Sequence, residues 1–180
     1  MERGIIFVAG TYGVGKSTLC DKLSERLNIP SYSSGDLISE INGETYGANK
    51  VVKDKTANQN ILITAVKRKL SLNPVFMLAG HFCIFNKSGE VERLPEFVYK
   101  EMPISKLILL ETDVNTIINN IKSRDNKLYN LDAIKSLVLT EREQAEIISG
   151  QLNLPLYVHK MNFDQTDVDK ISVIIQGSVS

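Results

Sequence analysis

The chain has 180 residues, 43% hydrophobic and 23% charged, enough for one compact domain with a sizeable core. Its 21 basic residues cancel its 21 acidic ones, so no global field holds it on nucleic acid or an anionic membrane, and nucleic acid is not an expected partner. Cys20 and Cys83 form neither a CxxC pair nor a spaced ligand set, which argues against a zinc cage and for two reduced thiols.

Residues 5–9, IIFVA, are a short continuous apolar run, the pattern of a strand buried on both faces of a parallel sheet. The run is too short for a secretory leader or a membrane span, so a cytoplasmic setting with no membrane partner is expected. Residues 16–27 follow with helical spacing of Leu19, Leu23 and Leu27, and NIP ends that helix. SYSSGDLI predicts a brief strand at 31–33 and then a short helix. The polar stretch 41–60 is expected to be mobile, and 56–70 reads as a helix with Ile61, Leu62, Ala65, Val66 and Leu70 inward.

Residues 74–80 and 106–112 are two further buried-strand runs. Between them, Lys87-Ser88-Gly89 predicts the turn of a small hairpin. Helices are expected over 112–123 and 131–149, a fifth strand over 154–160 and a closing helix over 167–176, the last rich in β-branched residues. Strands alternating with helices imply right-handed crossovers, so the expected fold is α/β with a parallel sheet of about five strands flanked by helices. Nothing marks a domain boundary, and residues 1–180 read as one domain.

The segment Gly10-Thr11-Tyr12-Gly13-Val14-Gly15-Lys16-Ser17 has the spacing GxxxxGK[ST], and it stands after a strand and opens a helix. Such a loop curls so that several backbone N–H groups face one phosphate, with the helix N-terminus adding positive potential. Gly10, Tyr12, Gly13, Val14, Gly15, Lys16, Ser17 and Thr18 are therefore the expected nucleotide-binding residues. Lys16 is expected to reach the terminal phosphates and Ser17 to ligate Mg²⁺, beside the hydroxyl of Thr18. The loop by itself does not separate an ATPase from a GTPase or a kinase.

Together with LNIPSYSSGDLI and LAGHFCIFNKSGEVERLP, this loop resembles the nucleoside monophosphate kinases of the P-loop class, and the second half is most similar to the archaeal-type adenylate kinase branch. The similarity extends over nearly the whole chain, including TEREQAEIIS before the fifth strand. It implies a P-loop NTPase fold of strand order 2-3-1-4-5, Mg·ATP on the loop, and transfer of the γ-phosphoryl to a nucleoside monophosphate. Ser34, Gly35, Asp36, Gly80, His81 and Arg93 would border the acceptor within a segment running over about 34–70 and the end of the third strand. Ser34 and Asp36 read equally well as cap and first-turn acid of the following helix; His81 has the alternative of a satisfied strand-end histidine, with the ligand-facing role favoured because strand ends of an open sheet line its crevice. IINNIKSRDNKLYN lies where these kinases carry their lid, near 120–130. Arg124 is the expected catalytic cation there, and Lys122 and Lys127 read as solvated charges.

Three positions depart from that family. Asn120 stands where the lid usually has its first arginine, Ser39 where many members have an acceptor-phosphate arginine, and Ala79 where an aspartate often holds water on Mg²⁺. Glu111 is the nearest carboxylate at a strand end to take the metal role, and reads equally well as a solvated strand terminus. These departures keep two other functions in view: a nucleotide-gated, partner-binding protein or weak ATPase, and a kinase of a nucleoside or small metabolite. Relatives of this type can be oligomeric, and residues 96–102 are an expected place for a homo-oligomer contact.

Overall fold

The computed structural model describes residues 3–42, 55–126 and 128–177. Lys127 and most of the 41–60 stretch lie outside the described residues. The chain runs β1 (Gly4–Ala9), α1 (Lys16–Leu27), β2 (Ser31–Ser33), α2 (Ser34–Asn42), α3 (Lys55–Leu72), β3 (Val75–Gly80), β4 (Cys83–Phe85), β5 (Val91–Arg93), α4 (Phe97–Glu101), β6 (Ile104–Glu111), α5 (Val114–Asp125), α6 (Leu131–Leu152), β7 (Leu156–Lys160) and α7 (Gln165–Gln176).

Five strands form one parallel sheet in the order β2-β3-β1-β6-β7, and β4 and β5 make a separate antiparallel hairpin. β1 is central and buried throughout, which is why its sequence is a continuous apolar run rather than an alternating one. Its side chains divide by parity. Ile5, Phe7 and Ala9 join a core with Leu37, Leu62, Val66, Tyr99, Leu137 and Ile148 from α2, α3, α4 and α6. Ile6 and Val8 join a second core with Leu19, Leu23, Val168 and Ile171 from α1 and α7. Filling both sides removes each strand from water, at about 25 cal/mol per Å² of apolar surface.

The register Ala9↔Gly80 places the ends of β1 and β3 side by side, so the loop after β1 and the turn after β3 open into one crevice. Helix ends follow local chemistry. α5 begins at Val114 rather than at Thr112 because Asp113 accepts the N–H of Thr116 at 2.9 Å and caps it. α6 continues to Leu152, past the expected 149, until Asn153 turns left-handed at φ 52°. α7 starts with a reciprocal capping box of Asp164 and Asp167.

Candidate functional site

The loop between β1 and α1 is shaped for an anion. α1 has no side-chain cap at Gly15 (φ 94°) and no acid in its first turn, so no side chain of its own competes for its terminal N–H groups. A Cβ on Gly13 (φ 74°) would fall 2.9 Å from Ile121 Cγ1 and 3.0 Å from the Ile117 carbonyl, so only glycine lets α5 pack this closely on the loop. The ammonium of Lys16 donates to the carbonyls of Gly10 and Thr11, both at 2.8 Å, and so lies folded over the loop it serves.

A cavity of about 810 Å³ opens from this loop. Gly13, Gly15, Lys16, Ser17 and Thr18 line one side, and Ser34, Gly35, Asp36, Gly80 and His81 the other. The residues expected on the acceptor side are thus in the same space as the loop. Ser34 Oγ donates to the Ala79 carbonyl at 3.1 Å, while the cap of α2 is Ser33, whose Oγ accepts the N–H of Asp36. Gly80 permits that closeness: a Cβ there would meet the Phe7 ring at 2.7 Å and Ser34 Oγ at 2.9 Å. The Tyr99 hydroxyl, kept a neutral donor by burial that pushes its pKa up, holds the His81 carbonyl at 2.7 Å.

The third side comes from α5 and the segment after β7. Asn120, Ser123 and Arg124 line the cavity, and Asn120 Nδ2 donates to the Gly13 carbonyl at 2.8 Å. The Arg124 guanidinium is engaged in a fork with Asp125, at 2.8 and 2.6 Å, and this hydrogen bonding raises its pKa further. Rings of His81, Tyr12, Phe85 and Tyr129 follow one another at 4.6, 6.1 and 5.4 Å, from the crevice over the hairpin to the connection between α5 and α6. Opposite, Phe163 is half-exposed in a left-handed conformation (φ 62°), with its ring against Gly15. The N–H groups of Asn162 and Phe163 donate to Asp167 at 2.9 and 2.7 Å. Burial pushes the Asp167 pKa up, but those bonds and the one with His159 outweigh it and hold the carboxyl below its ordinary value.

Four expected site residues are not in the lining: Gly10 and Val14 of the loop, the latter buried in the core, and Arg93 and Glu111. Arg93 donates to Gln144 at 2.9 Å and to Glu143 at 2.7 Å, tying the hairpin to α6, and does not line the cavity. Glu111 accepts from Arg142 at 2.8 Å, with Arg142 also bonded to Glu146, and is likewise outside the lining. A carboxylate already neutralised by a guanidinium is a poor metal partner. Among the described residues no group of three or more His, Cys, Asp or Glu could hold a metal.

Sequence reasoning missed Asn58 and Gln59 on α3, the 161–167 segment, and Glu141. Gln59 and Glu141 are buried, at 5% and 1% exposure. Glu141 had a readable signal: it interrupts the apolar face Ile134, Leu137, Ala145 and Ile148 at helical spacing, where a carboxylate demands a partner.

Fold and loop together define a P-loop nucleotide-binding protein of kinase architecture. The family profile described as AAA domain matches residues 9–138, and the chain belongs to that family. Human adenylate kinase isoenzyme 5 is 23% identical over 92% of the chain, which spans about a third (31%) of that protein's length. Similar solved folds include shikimate kinase from Acinetobacter baumannii in complex with shikimate (TM-score 0.68, 14% identity, 98% and 95% of the two chains). They also include a gluconokinase from Sinorhizobium meliloti 1021 (TM-score 0.54, 12% identity, 99% and 98%). Among the described residues no helix is long and apolar enough to cross a membrane.

Proposed function

We propose that the chain is an ATP-dependent phosphotransferase acting on a small-molecule acceptor, with a nucleoside monophosphate as the first candidate. The observation that carries this reading is the single cavity joining the loop residues Lys16 and Ser17 to the second wall of Ser34–Asp36, Gly80 and His81. A loop serving only as a switch needs no second wall. The similarity to adenylate kinase isoenzyme 5 and the resemblance of the acceptor-side segments favour a nucleotide there.

In this reading the loop N–H groups and Lys16 hold the β- and γ-phosphates, and Ser17 holds Mg²⁺, which supplies charge neutralisation. Phe163 flanks the donor base. Lys16 exchanges its two carbonyl partners for phosphate oxygens. Arg124 exchanges Asp125 for the transferring group. The acceptor oxygen attacks in line and no covalent protein intermediate forms; the chain's share is positioning and charge stabilisation.

A kinase of a hydroxylated metabolite or nucleoside is the second reading. It is favoured by Asp36, Asn58, Gln59 and His81 on the acceptor side, groups that hydrogen-bond hydroxyls. The deciding experiment is a coupled assay with Mg·ATP against AMP, GMP, CMP, UMP, their nucleosides, shikimate, gluconate and no acceptor, beside Lys16→Ala. Acceptor-dependent ADP release that the variant loses supports a kinase and identifies its substrate. ADP release indifferent to every acceptor overturns the kinase reading in favour of a weak ATPase or nucleotide-gated partner binder.

A further inference from the structure

Glu141 sits in the middle of α6, 1% exposed, and its carboxylate is enclosed by backbone donors. Phe82 N–H donates to both oxygens at 3.0 Å and Cys83 N–H donates to Oε2 at 2.7 Å, while Lys16 and the Gly10 N–H face the carboxylate and favour its charged form. Gly10 is the first residue of the phosphate loop, while Phe82 and Cys83 directly follow Gly80 and His81 of the acceptor wall. One side chain therefore holds the backbone behind the acceptor wall and faces the loop. The Gly10 carbonyl accepts from Lys16 at 2.8 Å, the same cation that faces Glu141.

We propose that Glu141 is a positioning residue of the transfer reaction, a buried carboxylate that bonds the backbone behind the acceptor wall while facing Gly10 and Lys16 of the phosphate loop, and so fixes the separation of the two. The proposal rests on the phosphotransferase reading. The pairing of β1 with β3 ends at Ala9 and Gly80, so the ladder does not hold the segments beyond, and in-line transfer is sensitive to small errors in their position. A carboxylate suits this place because it has acceptor sites for several N–H groups and no proton to direct at them, which a neutral amide or acid cannot match. The groups facing it are Lys16 from α1, Cys83 from β4 and Tyr99 from α4. Burial pushes Cys83 up to about 12 and Tyr99 above its ordinary value, so neither titrates near neutrality.

The test is Glu141→Gln, which keeps the shape but turns an NH₂ toward backbone donors, and Glu141→Asp, which keeps the charge but shortens the reach. Each is assayed for ADP release from Mg·ATP with and without the acceptor panel, together with KM for both substrates and thermal melting. For Gln, kcat is expected to fall at least ~30-fold with each KM within ~3-fold, because misalignment damages the transition state more than either ground-state complex. Asp is expected to recover part of kcat. Burial pushes the Glu141 pKa up to about 7, so the wild-type pH profile has an acid limb there, which Gln removes. Unchanged kcat per folded molecule with only a lower melting temperature overturns the proposal, as does a limb that survives Gln. If Gln does not fold, Asp alone decides: an unchanged kcat overturns the proposal and a lowered kcat at unchanged KM supports it. Wild type that releases ADP without transferring it to any acceptor defeats the phosphotransferase reading instead, and the same kcat comparison on ADP release still judges Glu141.

Discussion

The side-chain amide of Asn120 on α5 donates to the carbonyl of Gly13 across 2.8 Å, joining that helix to the middle of the loop between β1 and α1. The residue standing in place of a clamp arginine thus positions the loop itself. Asn120→Ala leaves that carbonyl without its partner and is expected to lower stability by ~1 kcal/mol. Mg·ATP binding should weaken several-fold as the loop loosens. Asn120→Asp sets a carboxylate against a carbonyl and should cost more on both counts. Urea melts and titration with a fluorescent ATP analogue read the two effects.

Arg124 is held by Asp125, so its charge is committed to a neighbour until phosphates compete for it. Arg124→Ala should lower turnover about a hundredfold or more, given what arginines contribute to the charge of a transferring phosphoryl group. Asp125→Asn should raise Mg·ATP affinity a few-fold by releasing the guanidinium. The pair is exposed enough that neither change should move the melting temperature by more than a degree or two. Equal turnover in Arg124→Ala and wild type would remove Arg124 from the site.

The sheet was legible because its signals are local. Continuous apolar runs mark buried parallel strands, and a glycine loop between a strand and a helix has few other structural uses. The order β2-β3-β1-β6-β7 came through the family resemblance rather than from any run of residues. Ser34, Asp36, Gly80 and His81 were reachable for the same reason, since strand ends of an open sheet meet at its crevice. Arg93 and Glu111 lie outside the cavity lining, which was not legible because sequence shows a charge and not its partner: Gln144 and Glu143 hold one, and Arg142 holds the other. Glu141 was overlooked because its partners are backbone N–H groups some sixty residues or more away, which carry no signature in residue type.

Phe163 is a bulky residue in a left-handed conformation, half-exposed beside the loop. That conformation costs such a residue on the order of 1–3 kcal/mol. It is maintained by Asp167, which accepts the Phe163 N–H at 2.7 Å. Phe163→Asn puts a residue tolerant of that backbone there and removes the ring. The melting temperature is expected to stay level or rise while affinity for Mg·ATP drops about tenfold, the scale of one lost aromatic contact. A parallel fall in both would show that the ring serves packing alone.

Two buried carboxylates give opposite pH dependences. Burial raises Glu141 from 4.5 in the unfolded chain to about 7 in the fold, so the folded state binds the extra proton between those values. Its contribution to stability is complete below about 4.5 and is lost as pH rises through about 7. Asp167 is lowered from 3.8, so its contribution is present above that value and is lost as pH falls through its folded pKa. Stability should therefore be greatest at about pH 4 to 4.5, between the two windows. It should decline from about 4.5 to about 7 because of Glu141 and below about 3.8 because of Asp167. Urea midpoints from acid to mildly alkaline pH read this directly. Glu141→Gln should flatten the decline toward neutrality, and Asp167→Asn the fall at acid pH. A wild-type midpoint that does not fall between about 4.5 and about 7 would show Glu141 to be ionised throughout, with its backbone N–H partners and Lys16 outweighing its burial.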